Sequence, residues 1–263
     1  MRCAAAATSA WSATSANVNL ARTWKSRFEK AKIVGAELEK SPVPEARRLW
    51  RRAGVWLALL LVLAIALIGA IPDVRHFALR SAGWALVASD SEEPADIIVI
   101  AVDAGAAGVL EATDLVHRGI ASRVAVFAEP PDPLATEFAK RGLSPTNLVP
   151  WSVRVLNALG ITQIEVIAQI PNGTEEEGKI LPAWCDQKGF GTIIFVSTSD
   201  HSRRTRRVLQ RSMSGHHTRV LVRYSSYSRF QPDAWWMTRN GIRTEFVEGE
   251  KLLYDVLRHP FSG

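Results

Sequence analysis

The sequence predicts an α/β fold, a mainly parallel sheet with helices on both faces, preceded by one transmembrane helix. Three observations predict it. From about Pro94 to Leu257, short apolar runs alternate with helical segments, the pattern of strand–helix–strand units. Runs such as DIIVIAV and TIIFV are apolar after their first residue, as in strands buried on both faces. Upstream, Val55 to Ile71 reads VWLALLLVLAIALIGAI and contains no charged residue.

The expected elements run in this order. Asp96 to Val102 is the first strand, followed by a helix over Ala106 to Arg118. Arg123 to Ala128 is the second strand, followed by a Pro-rich turn. Pro133 to Lys140 and Val153 to Leu159 read as helices. Glu165 to Ile170 is the third strand. Thr174 to Lys188 is helical, with Pro182 forcing a kink or a restart. Thr192 to Val196 is the fourth strand, Ser202 to Ser212 a helix, and Arg219 to Tyr224 the fifth strand. Phe246 to Leu257 closes the chain as a helix.

With Ala53 and Gly54, the apolar run reaches the length that crosses a hydrocarbon core. It lacks the polar face of a core helix. Fifty-four residues precede Val55, too many for a signal-peptide n-region. Arg47, Arg48, Arg51 and Arg52 stand just before the run, while only Arg75 and Arg80 follow closely. The positive-inside rule then places the N-terminus in the cytoplasm and the later domain outside the inner membrane. The organisation expected is a basic, disordered arm over 1–52, an anchor over 53–71, a linker over 72–93 and the α/β domain over 94–263.

Charge supports that division. Eleven Lys and Arg face four Asp and Glu before Val55, and twenty-one face twenty-two from Val55 onward. The pI of 9.6 therefore describes an arm suited to an anionic membrane surface, not a nucleic-acid-binding domain. AAAATSAWSATSA at the start is low-complexity, and Ala21 to Glu39 can form a short amphipathic helix. The two cysteines, Cys3 and Cys185, support neither a disulfide framework nor a cysteine zinc site. No metal-ligand spacing such as H-E-x-x-H occurs, and His216-His217 reads as an exposed loop pair.

In a parallel sheet of this kind the ligand site lies beyond the carboxyl ends of the strands. Three loops therefore matter. The first is VDAGAAG after the first strand, where Asp103 offers a polar group and Gly105 allows close backbone approach. It is not a dinucleotide fingerprint. The second is PNGTEEEGKIL. Thr174 and Glu177 fit a capping box there, which leaves Glu175 and Glu176 for the pocket. The third is STSDHSRRTRR. Ser199 or Asp200 can cap the helix that follows. His201 and Arg204 stand at its N-terminus, a combination suited to phosphate or carboxylate, or His201 braces the loop. Arg203, Arg206, Arg207 and Arg211 read as a solvated outer face. Trp235-Trp236 reads as core packing or as a partner surface.

The order of these motifs resembles a bacterial family of unknown-function domains that includes the YdcF, SanA and ElyC proteins. S-T-S-D-H-S-R-R places His201 and Arg204 in that family's T-S-x-x-H-x-x-R element, and N-G-T-E-E-E places Thr174 and Glu176 in its N-T-x-E-E-like element. EKLLY, from Glu250, is similar to its final helix. Two positions depart: Ala104-Gly105 replaces a double glycine, and Ala128-Glu129-Pro130-Pro131 replaces a glycine-rich strand end. The resemblance implies a Rossmann-like three-layer fold and, in anchored members, a role in barrier integrity or in wall or surface-polysaccharide assembly. One cytoplasmic member is associated with S-adenosylmethionine; the cofactor here is left open.

The expectation is an envelope protein with a pocket for an anionic or phosphorylated ligand, such as a lipid-linked sugar. Asp103, Gly105, Thr174, Ser199 and Arg204 would bind it, and Glu176 or His201 would act as acid or base. The alternative is a non-catalytic interaction or regulatory module with a degenerate pocket.

Overall fold

The computed structural model describes residues 29–30, 44–129, 133–142 and 150–260. The low-complexity start, most of the amphipathic segment and Cys3 lie outside the described residues. The chain divides into two units, Met1–Leu67 and Ile68–Gly263.

The first unit holds most of α1, Pro44–Ala70, which carries the charge-free run. Val55 through Leu63 are all exposed, on every side of the helix. Among the described residues, no helix is long and apolar enough to cross a membrane.

The second unit is an α/β domain with a five-stranded sheet in the order β3-β2-β1-β4-β5. The strands are β1 Ile97–Ile100, β2 Val124–Phe127, β3 Ile164–Ile167, β4 Thr192–Ser197 and β5 Arg219–Tyr224. Every pairing is parallel, an architecture compatible with a Rossmann-like fold. All of β1 and β2 and all but the first residue of β4 are buried. Helices therefore cover both faces, which is why these strands carry no polar alternation. The edge strands β3 and β5 are only partly buried, and they admit Glu165, Arg219 and Arg223.

α3, Gly105–His117, packs on β1 and β4 and against α5, Trp151–Ala158; α4 is Pro133–Lys140. α6, Thr174–Lys188, packs against α7, Ser202–Ser212, which lies on β5. Val109, Ala112, Leu115, Leu181, Cys185 and Leu209 point into the core. Pro182 neither ends nor restarts α6, which runs unbroken.

Two helices differ from the sequence reading. The expected linker contains α2, Pro72–Ala85, which starts with Pro72 at a position where its missing N–H costs nothing. Gly83 lets α2 dock: a Cβ there would lie 2.3 Å from Pro232 O and 2.7 Å from Trp235 Cδ1. Leu86, Phe230 and Trp235 form a second small core at this junction, and Trp235 Nε1 donates to Leu79 O at 2.7 Å. Trp236 is half-buried and stacks on His76, so the tryptophan pair serves packing. The closing helix α8 runs Arg239–Arg258, starting seven residues before the expected Phe246. Thr238 caps it, accepting from Gly241 N at 2.9 Å.

Candidate functional site

The order β3-β2-β1-β4-β5 reverses direction between β1 and β4. The crevice at their carboxyl ends is where such folds bind ligands. Two loops meet there. After β1 the chain forms a single 3-10 turn, Val102–Ala104, and enters α3 at Gly105, whose φ of +49° suits glycine. After β4, Thr198 to His201 turn into α7.

Asp103 from the first loop and His201 from the second face each other: His201 Nδ1 contacts Asp103 Oδ2. The contact is off the line of a well-formed hydrogen bond and is best described as an ion pair. His201 Nε2 lies 3.2 Å from Asp200 Oδ2 and 3.6 Å from Glu248 Oε1, on α8. Arg204 Nη2 lies 3.3 Å from Glu248 Oε2, and Lys251 Nζ donates to Glu248 Oε1 at 2.6 Å. Burial alone would drive the imidazole toward its neutral form. Asp103 and Asp200 overcome it and raise the His201 pKa to about 10. Asp200, though partly buried, is held below the usual carboxylate range by His201.

The carboxylates Asp103, Asp200 and Glu248 thus stand against the cations His201, Arg204 and Lys251. The two cations expected to hold an anion are already neutralised by their own domain.

Glu177, not Glu176, points to the strand ends. It is 1% exposed, and its Oε1 accepts from Val102 N at 2.7 Å. Its Oε2 is buried without a partner. Burial, with the nearby Asp103 charge, raises its pKa to about 7, against the pull of the Val102 N–H, Arg204 and His201. The expected capping box between Thr174 and Glu177 does not form: Gly173 is the cap residue, without a side-chain cap bond. Glu176 is exposed and reaches back to accept from Asn172 N at 2.7 Å. The roles of the two glutamates are exchanged because Gly173, at φ +93°, moves the helix start by one residue. Thr174 is buried as the first residue of α6.

Ser199 is also turned away from a ligand role. Its N–H donates to Ser228 Oγ at 3.0 Å and its hydroxyl to Phe230 O at 2.8 Å. The loop after β5 is tied further: Ser225 Oγ donates to Ala107 O, and Ser226 N and Oγ to Glu111 Oε2. This loop bridges the start of α3 and the turn before α7.

The N-terminus of α7 is covered. Arg203 N donates to Leu86 O at 3.0 Å, and Ala88 N to Ser202 Oγ at 2.9 Å. Arg203 itself donates to Val87 O at 2.7 Å and Trp84 O at 3.2 Å. The other arginines are clasps rather than a solvated face. Arg206 pairs with Asp90 at 2.7 Å, and Arg207 and Arg211 both grip Asp255 of α8. Of the residues of α7 only Gln210 is exposed. The sequence held a signal for this: Glu248 and Asp255 stand seven apart, matching the arginines spaced three and four apart on α7.

A cavity of about 90 Å³ lies beside the crevice, lined by Val102, Gly105, Val126, Glu129, Trp151 and Ser152 among others, but not by His201 or Arg204. Gly105 is the expected site residue that borders it. Among the described residues no group of His, Cys, Asp and Glu is arranged to hold a metal ion. Cys185 is buried, and its thiol pKa is pushed up to about 12 by that burial, which leaves it unreactive.

No protein-family model matches the chain, and no curated protein matches it. Among solved structures, the reductase domain of an aureusimine biosynthetic cluster is similar at 15% identity, with a TM-score of 0.30. The similarity covers 69% of this chain and 52% of that one, so the chain spans about half of that structure's length. A likeness of this extent carries no argument about function.

Proposed function

We propose that the chain is a membrane-attached module of the cell envelope whose α/β domain acts by binding a partner rather than by processing an anionic ligand. The observation that carries this reading is the neutralised crevice. His201 and Arg204 are paired with Asp103, Asp200 and the buried Glu248, so an incoming phosphate would have to compete with carboxylates already in place. Attachment is supported by the apolar run from Val55 to Ile71, the exposure of Val55 to Leu63 and the arginines before it. The motif resemblance to the YdcF, SanA and ElyC proteins favours the envelope. The departures at Ala104 and at Ala128 to Pro131 fall where that family's ligand would be approached.

Calorimetric titration with inorganic pyrophosphate tests the reading. The expected result is no saturable heat at millimolar concentration. Saturable binding that Arg204→Ala removes would restore the anion pocket.

Glu177 favours a second reading. A buried carboxyl with a pKa near 7 and one unpartnered oxygen is what proton-transfer sites use. In that case the reacting group enters beside Val102 and Gly105, and Glu177→Gln removes activity while leaving the fold intact.

A further inference from the structure

Two Asn-Gly dipeptides occur in the chain, Asn172-Gly173 and Asn240-Gly241, and the fold treats them in opposite ways. Asparagine is a chemically labile residue. It is most labile before glycine, where no side chain hinders attack by the next main-chain nitrogen on the asparagine carboxamide. The reaction makes two structural demands. That nitrogen must be able to give up its proton, and the dipeptide must be free to close a five-membered ring.

Asn172-Gly173 meets both demands. It lies in the turn between β3 and α6, and both residues are exposed. Among the described residues, neither the Gly173 N–H nor the Asn172 carboxamide has a hydrogen-bond partner. Nothing lies within 4 Å of the place that a Gly173 Cβ would take. Asn240-Gly241 meets neither demand. It stands in the first turn of α8, and Gly241 N donates to Thr238 Oγ1 at 2.9 Å. Gly241 is buried so closely that a Cβ there would lie 2.2 Å from Trp235 O.

We propose that Asn172 is a site of spontaneous deamidation in the folded protein, that the fold protects Asn240, and that the change loosens the start of α6. Gly173 N loses its proton to water and bonds to Asn172 Cγ. The Cγ–Nδ2 bond breaks, and the amide nitrogen leaves as ammonia. Water then opens the succinimide: attack at Cγ gives aspartate, and attack at the main-chain carbonyl gives isoaspartate. No oxidant, metal or enzyme is needed. Both products put a carboxylate beside the start of α6, and isoaspartate lengthens the main chain there by one methylene. The first turn of α6 starts from this dipeptide. Glu176 Oε2 accepts from Asn172 N at 2.7 Å, and Gly173 O accepts from Glu176 N at 3.1 Å and Glu177 N at 3.2 Å. Shifting these groups therefore disturbs the turn that carries the buried Glu177.

The test incubates the full chain in detergent at pH 8.5 and 37 °C, in water enriched in oxygen-18. The heavy oxygen marks each acid formed during the incubation. Digestion in ordinary water and fragmentation mass spectrometry then locate it, with a parallel sample kept in guanidinium chloride. The expected result is label at 172 and none at 240 in the folded chain, and label at both in denaturant. Hydrogen exchange of the Glu176 and Glu177 amides should be faster in the labelled chain than in fresh protein. A folded chain labelled at neither position, with both labelled in denaturant, would overturn the site. Equal label at 172 and 240 in the folded chain would overturn the protection of Asn240. Unchanged exchange at Glu176 and Glu177 would overturn the effect on α6.

Discussion

Asp255→Ala is expected to cost about 3 to 5 kcal/mol of folding stability, the range for breaking a buried ion pair from one side. Asp255 is 4% exposed and accepts from Arg207 Nε at 2.6 Å and from Arg211 Nη2 at 2.7 Å. Removing the carboxylate leaves two largely buried guanidiniums without their shared counter-ion. Asp255→Asn keeps the shape and loses the charge, so its cost should be smaller. The pH dependence follows from the sign of the shift. Burial would raise the Asp255 pKa, but Arg211 and Arg207 more than reverse that and lower it. A carboxyl with a depressed folded pKa stabilises the fold above its unfolded pKa, and that contribution is lost as pH falls through the folded pKa. The wild type and Asp255→Asn should therefore differ most near neutral pH and converge in acid. Urea unfolding of the full chain in detergent, across pH, measures both. A loss under about 0.5 kcal/mol for Asp255→Ala, the size expected of a surface site, would return these arginines to a solvated face.

Glu177→Gln is expected to do the opposite and stabilise the fold at alkaline pH. Burial, then the Asp103 charge, raises the Glu177 pKa from 4.5 to about 7. The unfolded chain releases this proton at lower pH than the folded one. The stabilising contribution is therefore complete below the unfolded pKa and is lost as pH rises from there to about 7. A shift of this size corresponds to about 3 kcal/mol. Glutamine keeps an acceptor for Val102 N and does not titrate. At pH 5 the variant and the wild type should be close; at pH 8 the variant should be the more stable by about 2 kcal/mol. Equal stability of the two proteins at both pH values would mean that Glu177 is solvated as an ordinary carboxylate.

The sheet was legible because its signal is physical and local. Strands buried on both faces must be apolar, and DIIVIAV, RVAVFA and TIIFV are so after their first residue. Helix bounds such as Ser202–Ser212 followed from periodicity, although His201, not Ser199 or Asp200, is the cap residue there and no side chain makes a cap bond. α2 was not legible because its contacts are long-range: Gly83 and Leu86 matter only once Phe230 and Trp235 are folded beside them. α8 was shortened because its apolar stripe faces outward, against the rule that apolar residues mark the core face.

The candidate site was half legible. Asp103, His201 and Arg204 do come together, since loops at the carboxyl ends of adjacent strands must meet. Their partners Asp200 and Glu248 changed what the meeting means, and the sequence offered for Glu248 only its spacing to Asp255. Glu176 and Glu177 were interchanged because a helix start one residue earlier or later turns a side chain by 100°. The arginines of α7 were read as a solvated stripe because i+4 spacing says which residues share a face, not what covers it.

The central claim is that His201 is a fixed ion-pair partner and not a free acid or base. The most direct measurement is the titration of its ring nitrogens by long-range proton–nitrogen NMR on the full chain. The imidazolium held by Asp103 and Asp200 should stay protonated through pH 8, with its midpoint near the pKa of about 10 that those carboxylates impose. A midpoint at the ordinary histidine value, around 6.5, would contradict the account and return His201 to the role of a catalytic base.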